Sequence, residues 1–308
     1  MFSKKLLIPL LSLSLLVTPA YSSHAAENTE AAGTSVEGQG MLSPSSSSES
    51  SESVFNGSGA GTSSEPVTDE KLETILKQVQ SQLPAENGTW AVFISDLVNG
   101  TEGNLNDQQM QAASLIKLYI MGAVYENYDQ ITGQYGRDSV DSNLYSMITV
   151  SDNDAANTLT TYLGGGDSAA GMQAVNSFCQ AHGYDQTHMG RMLLASNEND
   201  DNYTSVGDCG HLLQEIYKQD TSGYTHATDM FNLLKAQTRC NKIPAQLPEG
   251  VKTANKTGEL DNVENDAGII YDSKNDVVIV FMSQNLSSAG SAQNTIATLS
   301  RTIYDYYN

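Results

Sequence analysis

The sequence predicts an α+β fold in which an antiparallel sheet, built from strands near both ends of residues 67–308, lies beside an all-helical subdomain. Two observations carry this prediction. Strand-like apolar runs lie early in this region and again near its end. Between them, apolar residues recur at helical spacing in six segments, at 114–126, 141–149, 153–163, 168–182, 205–218 and 226–238.

The first elements read as a helix followed by a hairpin. Apolar residues recur every three or four positions over 72–79, which indicates a helix. An apolar run at 90–94 predicts a strand, and the Asn99-Gly100 pair after it is a turn signal. We expect the short stretch at 102–106 to pair back on this strand.

The last elements read as strands followed by a helix. Runs at 251–258, 265–272 and 276–284 have strand character, and the polar residues 272–275 indicate a hairpin turn between the last two. Residues 290–307 then predict a final helix with one apolar face. Strands at both ends can join one sheet only if the chain returns to its start.

Two segments precede this domain. Residues 1–26 have the three-part pattern of a secretory signal peptide, with a basic start, a short apolar run and small residues at the end. Residues 27–66 are rich in Ser, Gly and Glu and contain no Lys or Arg, which predicts a disordered linker. We therefore expect a secreted protein with no membrane contact after cleavage. A cell-wall location and an uncleaved anchor are the alternatives.

Composition excludes several function classes. The formal net charge of −21 disfavours binding to nucleic acid, because an acidic surface repels phosphate. Three cysteines without a CxxC pair and five histidines without ligand spacing predict neither a metal site nor a metal cofactor. No phosphate-binding glycine motif is present, so we expect no nucleotide. Cys209 and Cys240 lie on predicted neighbouring helices and are candidates for a disulfide.

Three short motifs occur in order along the domain. They are Ser-Leu-Ile-Lys at 114–117, Ser-Asp-Asn at 151–153 and Lys-Thr-Gly at 256–258. Each has an ordinary structural explanation, respectively a helix cap, a capping loop and the end of an edge strand. A Ser and a Lys three residues apart nevertheless share a helix face, and a lysine whose pKa is lowered by burial can act as a base.

Together the motifs form the SxxK, SDN and KTG set of penicillin-recognising serine hydrolases. Their placement at a helix start, an interhelical loop and a strand end also agrees. Residues 67–308 therefore resemble the class A β-lactamase-like branch of that family. The resemblance implies the β-lactamase/transpeptidase-like fold.

The resemblance also implies catalytic roles. Ser114 would attack the amide carbonyl and form an acyl-enzyme, Lys117 would accept its proton, and Ser151 would pass a proton to the leaving nitrogen. The backbone N–H groups of Ser114 and Glu259 would form the oxyanion hole.

The substrate-binding residues implied by the resemblance are Asn153, Lys256, Thr257, Gly258 and Glu259. Asn153 would hold the amide side chain of the substrate, while Lys256 and Thr257 would bind its carboxylate. No organic cofactor is implied.

The sequence departs from the family pattern at two places. The omega-loop glutamate that activates the deacylating water is replaced by Leu193, unless Glu198 or Asp200 takes its place. The segment between the first two motifs is also short, which predicts an open cleft; Tyr128 and Tyr145 are candidates for an aromatic wall.

These observations lead to three functional hypotheses. The first is an exported, monomeric serine hydrolase that opens β-lactams, with slow deacylation. The second is a DD-peptidase or penicillin-binding protein that acts on cell-wall peptides. The third is a module that β-lactams or muropeptides acylate or occupy without turnover.

Overall fold

The sheet predicted from the two ends of the domain is present. The computed structural model describes residues 69–308, so the predictions for residues 1–26 and 27–66 lie outside the described residues. The strands of the main sheet are β1 (Thr89–Asp96), β2 (Thr101–Leu105), β6 (Lys252–Leu260), β7 (Val263–Tyr271) and β8 (Val277–Gln284). They are antiparallel in the order β2-β1-β8-β7-β6, which places the first strand directly beside the last.

Helices surround this sheet. Within the described residues they are α1 (Glu70–Gln82), α2 (Ile116–Glu126), α3 (Tyr128–Tyr135), α4 (Arg137–Thr149), α5 (Asn153–Leu163), α6 (Ser168–Ala181), α7 (Val206–Tyr217), α8 (Ala227–Lys235) and α9 (Ala289–Tyr307). None of them is long and apolar enough to cross a membrane.

Side chains along each strand point alternately to the two faces of the sheet, so the apolar core forms two layers. On β1, Trp90, Val92 and Ile94 face the layer that contains α1 and α9. Ala91 and Phe93 point the other way, into the core of the helical subdomain. Because both faces of β1 are covered, nearly every residue of this strand is buried.

Side-chain caps explain why several helices begin where they do. The carboxylate of Asp69 accepts from Lys71 N at 3.0 Å, and that of Asp167 accepts from Ala170 N at 2.8 Å. Ser205 and Ser288 cap α7 and α9 in the same way. Each cap satisfies a backbone N–H that the first turn of a helix leaves free.

Two elements of the fold were not predicted from the sequence. The helix α3 was not predicted, because its eight residues are mostly polar and bury only Tyr128 and Ile131. A second, three-stranded sheet consists of β3 (Met110–Gln111), β4 (His188–Met189) and β5 (Asn202–Thr204). Strands of two or three residues are too short to show a period.

The proposed pairing of Cys209 with Cys240 is wrong. Both residues, like Cys179, are free. Cys209 is buried on α7, where the Tyr119 hydroxyl donates to its Sγ at 3.4 Å, whereas Cys240 is exposed in the segment after α8. The predicted helix over 226–238 ends early, at Lys235, so Cys240 follows a loop rather than a helix.

The helices α5 and α6 approach so closely that a glycine is required between them. A Cβ built on Gly171 would lie 1.8 Å from the backbone oxygen of Thr160. We expect Gly171→Ala to lower the free energy of unfolding by about 1–3 kcal/mol, since the backbone of α5 must shift. Urea denaturation measures this change.

Gly133→Ala is the matched control, because Gly133 lies in α3 with open space around its Cα. It should leave stability unchanged or raise it by up to about 1 kcal/mol. Equal losses in both variants would contradict the close packing of α5 on α6.

Candidate active site

Ser114 lies on a short, strained turn. It occupies the 3₁₀ turn Ala113–Leu115, which leads directly into α2. Ala113, just before it, has a φ of +48°, a conformation that non-glycine residues rarely adopt. Such strain is typical of functional sites. The turn leaves the Ser114 side chain half-buried at the edge of a cavity.

Lys117, one helical turn later, joins the first two motifs. Its Nζ donates to Ser114 Oγ at 3.1 Å, to the Ser151 backbone oxygen at 2.7 Å and to Asn153 Oδ1 at 2.7 Å. A further contact of 3.1 Å reaches Ser151 Oγ. The amine is buried, and all four oxygens that accept its hydrogen bonds are uncharged.

Ser151 is shared between two lysines. Its Oγ accepts from Lys256 Nζ at 2.8 Å as well as from Lys117. The φ of Ser151 is +61°, which turns the loop so that its backbone oxygen and its hydroxyl both face Lys117. The three predicted motifs therefore meet at one hydroxyl group.

Burial changes the protonation of both lysines. Desolvation lowers the pKa of Lys117 to about 7, with nearby Asp152 opposing the shift and Arg239 adding to it. Desolvation also holds the pKa of Lys256 well below its ordinary value, and the charge of Lys117 adds to that effect. A neutral amine at Lys117 near pH 7 can accept a proton from Ser114.

In the second motif, Asp152 caps a helix and Asn153 contacts Lys117. Asp152 caps α5 by accepting from Ala155 N at 2.7 Å, as its residue type suggests. This cap fixes the start of α5, where Asn153 holds Lys117. Asn153 also lines the cavity in front of Ser114, so its side chain is open to a ligand.

Gly258 allows the third motif to approach the turn that carries Ser114. A Cβ on this residue would lie 2.8 Å from the backbone oxygen of Ala112 and 3.3 Å from Leu115 N. The edge strand β6 therefore packs directly on the turn that carries Ser114. Two cavities, described below, adjoin Ser114. Glu259 lines both of them and Thr257 lines the smaller one, whereas Lys256 and Gly258 line neither. Their predicted contacts with substrate stay predictions.

An open cavity of about 530 Å³ lies in front of Ser114. Its lining comprises Gln111, Ala113, Ser114, Asn153, Arg191, Leu193, Leu194, Ala195, Asn197, Glu259, Leu260, Asp261 and Asn262. No aromatic residue of the described chain is among them. Tyr128 and Tyr145, the candidates for an aromatic wall, instead line a separate depression beside α3, α4 and α8.

Leu193 occupies the position to which the family resemblance assigns a glutamate. Asn157 on α5 fixes it, since Leu193 N donates to Asn157 Oδ1 at 2.8 Å and Asn157 Nδ2 donates to Leu193 O at 3.0 Å. The alternative bases do not line the cavity: Glu198 is exposed, and Asp200 hydrogen bonds with His188 at 2.7 Å.

Two cations beside the site were not predicted from the sequence. Arg239 lines a smaller cavity together with Ser114 and Ser151. Lys242 is fully buried and pairs with Glu259 at 3.1 Å and with Glu264 at 2.7 Å. Neither belongs to a motif, and their position next to β6 follows only from the path of the chain after α8.

A family model described as the beta-lactamase enzyme family matches residues 71–138 and 134–307. The chain belongs to this family. Comparison with curated proteins gives no match.

Solved structures show the same fold in other members. "Structure of PBP-A" matches with a TM-score of 0.66 and 23% identity, over 76% of this chain and 96% of that one. A beta-lactamase from Sphaerobacter thermophilus DSM 20745 matches with a TM-score of 0.61 and 21% identity, over 76% and 95%.

An ancestral class A beta-lactamase matches with a TM-score of 0.65 and 20% identity, over 75% of this chain and 99% of that one. This member of the beta-lactamase enzyme family therefore has the α+β fold that its sequence predicts.

The buried amine of Lys117 should make stability depend on pH. Between its folded pKa of about 7 and its ordinary value of 10.5, the unfolded state binds a proton that the folded state does not, so stability rises with pH. Lys117→Met should remove up to about 1.4 kcal/mol per pH unit of that rise. Urea denaturation across this interval measures the slope.

Lys77→Met, on the exposed face of α1, is the control and should keep the wild-type slope. An unchanged slope in Lys117→Met would mean that Lys117 is not held neutral by burial.

Proposed function

We propose that this protein is an exported serine hydrolase that opens the amide bond of β-lactams through an acyl-enzyme on Ser114. One observation carries the proposal: Ser114, Lys117, Ser151 and Lys256 form a continuous hydrogen-bonded set at the edge of an open cavity. Membership of the beta-lactamase enzyme family supports the same chemistry. Export rests on the predicted signal peptide in residues 1–26.

Acylation begins with proton transfer from Ser114 Oγ to the neutral amine of Lys117, 3.1 Å away. The oxygen then bonds to the carbonyl carbon of the lactam, and the C–N bond breaks as the tetrahedral intermediate collapses. Ser151 gives its hydroxyl proton to the leaving nitrogen and regains one from Lys117, which took it from Ser114 and lies 3.1 Å from Ser151 Oγ. The product is an ester on Ser114.

The oxyanion is stabilised where β6 meets the Ser114 turn. Gly258 brings the strand within contact of that turn, so the backbone of Glu259 lies beside the nucleophile. The N–H groups of Ser114 and Glu259 supply the hole, as the family resemblance implies.

Deacylation is the slow step. Hydrolysis of the ester needs a base that activates water, and the apolar side chain of Leu193 cannot act as one. The protein keeps the residues for acylation but lacks this base, so the ester accumulates. The protein then behaves more as a penicillin acceptor than as an efficient β-lactamase.

A DD-peptidase acting on cell-wall peptides is the second candidate. The open cavity, whose described lining has no aromatic wall, favours it, because a peptide substrate is larger than a β-lactam. Release of D-alanine from a pentapeptide would support this candidate. A module that is acylated without turnover is the limiting case of slow deacylation.

The proposal predicts a covalent adduct on Ser114. Intact-mass spectrometry of the protein with benzylpenicillin should show the mass of one drug molecule added within minutes and cleared slowly. Ser114→Ala should show no adduct, because the attacking oxygen is gone. Ser196→Ala, which removes a hydroxyl from the exposed loop after Leu193, should be acylated like the wild type.

An adduct that forms equally in Ser114→Ala would contradict the proposal. Failure of the wild type to react with any β-lactam would direct the search to cell-wall peptides.

A base at position 193 should restore turnover. We expect Leu193→Glu to speed clearance of the adduct by about a hundredfold, since general-base catalysis contributes at least that much. The decay of the adduct mass after removal of free drug measures it. Leu194→Glu adds the same charge to the neighbouring exposed residue and should leave clearance slow. Equal clearance in both variants would mean that Leu193 does not face the ester.

A further inference from the structure

Asn265 is a fully buried polar residue that takes no part in the catalytic steps above. It lies on β7 directly opposite Gly258 of β6. Its side chain points to the same face of the sheet as those of Ala267 and Ile269, which pack in the core of the helical subdomain. The amide therefore lies on the side of the sheet that carries the Ser114 turn.

The Asn265 amide binds two consecutive carbonyl groups. Its Nδ2 donates to Gln111 O at 2.9 Å and to Ala112 O at 3.2 Å. Its Oδ1 accepts from Ser283 N on β8 at 3.0 Å, which fixes the orientation of the amide. Both the nitrogen and the oxygen of the amide are thus bonded, and two of the three bonds reach the residues just before Ala113.

Other groups complete the backbone bonding of this segment. Gln111 N donates to Gln284 Oε1 at 3.1 Å, and Ala112 N donates to Asn202 O at 2.8 Å. With the two bonds from Asn265, every backbone N–H and C=O group of these two residues has a partner from a distant part of the chain. The segment is therefore fixed in position relative to the sheet.

The conformation of Ala113 needs this support. Its φ of +48° is unfavourable for a residue with a Cβ, and such a conformation persists only where the surroundings impose it. The carbonyl of Ala112 begins the turn, and its oxygen accepts from Leu115 N at 3.0 Å. Gly258 of β6 packs against this oxygen, and Asn265 of β7 donates to it. Two neighbouring strands therefore fix the carbonyl on which the turn depends.

We propose that Asn265 is a positioning residue whose amide holds the strained turn in the conformation that presents Ser114 Oγ to Lys117. The inference rests on the proposed function, because the position of this oxygen matters only if it attacks a substrate. Lys117 does not depend on the amide, since its bonds to Ser151 O and Asn153 Oδ1 lie outside the turn. Loss of the amide should therefore displace the nucleophile and leave the base in place.

The test measures how the rate of benzylpenicillin adduct formation on the full chain depends on drug concentration. This dependence separates the limiting rate of acylation from the dissociation constant of the non-covalent complex. Asn265→Ala should lower the limiting rate at least about tenfold, because a small displacement of a reacting atom is costly. It should leave the dissociation constant unchanged, because Asn265 lines neither cavity of the site. The pH of half-maximal acylation should also keep its wild-type value, because Lys117 keeps its partners.

Two further variants grade the effect. Asn265→Asp keeps the oxygen that accepts from Ser283 N, and its buried carboxyl is protonated, so it can donate to one of the two carbonyls. Its limiting rate should fall between those of the wild type and Asn265→Ala. Gln284→Met removes the acceptor of Gln111 N and should lower the limiting rate about threefold. Because Gln284 is only half-buried, this variant tests the same segment if the Asn265 variants do not fold.

Asn87→Ala is the matched control for stability. Asn87 is also buried, and its Oδ1 accepts from Ser287 N at 3.1 Å and from Ser288 N at 2.9 Å, at the start of α9. Its loss removes a comparable set of buried hydrogen bonds without touching the segment before Ser114. The variant should lower the midpoint of thermal unfolding much as Asn265→Ala does, but it should be acylated like the wild type.

Several results would overturn the inference alone. One is an Asn265→Ala variant, or a Gln284→Met variant where the former does not fold, that loses stability but keeps the wild-type limiting rate. Another is an equal fall of the rate in Asn87→Ala, or a dissociation constant that rises as the rate falls, since either indicates a general loss of structure. A shifted pH of half-maximal acylation would mean that Asn265 acts on Lys117 instead. Wild-type protein that benzylpenicillin does not acylate would overturn the proposed function, and this inference with it.

Discussion

The buried amine of Lys117 is the interaction on which the site depends. It joins the Ser114 turn, the Ser151 loop and the start of α5 through four oxygen contacts. Burying an amine is unfavourable unless its protons are bound, so each of these oxygens has to be in place. The positive φ of Ser151 and the Asp152 cap serve that arrangement. The same burial lowers the pKa of Lys117 to about 7 by desolvation, so its neutral amine can act as a base near that pH.

Four basic side chains gather around one cleft of an acidic protein. The net charge is −21, yet Lys117, Arg239, Lys242 and Lys256 cluster around one cleft. Burial lowers the pKa of two of these lysines, and Glu259 pairs with the other two cations. Two of the four are thus held toward the neutral form and two are paired with carboxylates, so the cleft carries little net positive charge.

The long periodic elements were predictable, and so was the meeting of the motif residues. The strand at 90–94 and the hairpin at 272–275 appear in β1, β7 and β8, since their apolar alternation and turn residues are local signals. The motif residues Ser114, Lys117, Ser151 and Lys256 meet as the resemblance implied. The candidate tyrosines do not line the cavity and the candidate cysteines do not pair in the described residues, because side-chain exposure and pairing depend on how helices pack rather than on spacing.

The sequence by itself determined the fold class, the three motifs and the loss of an acidic side chain at position 193. These are properties of residue type and local periodicity, which can be read from the sequence without knowing how the chain packs. Only the tertiary structure decided that Arg239 and Lys242 flank Glu259, and that Asn157 anchors Leu193 in the cavity that Ser114 also lines. Contacts between residues far apart in sequence carry no local signal. They exist because the sheet joins both ends of the domain and brings β6 against the Ser114 turn.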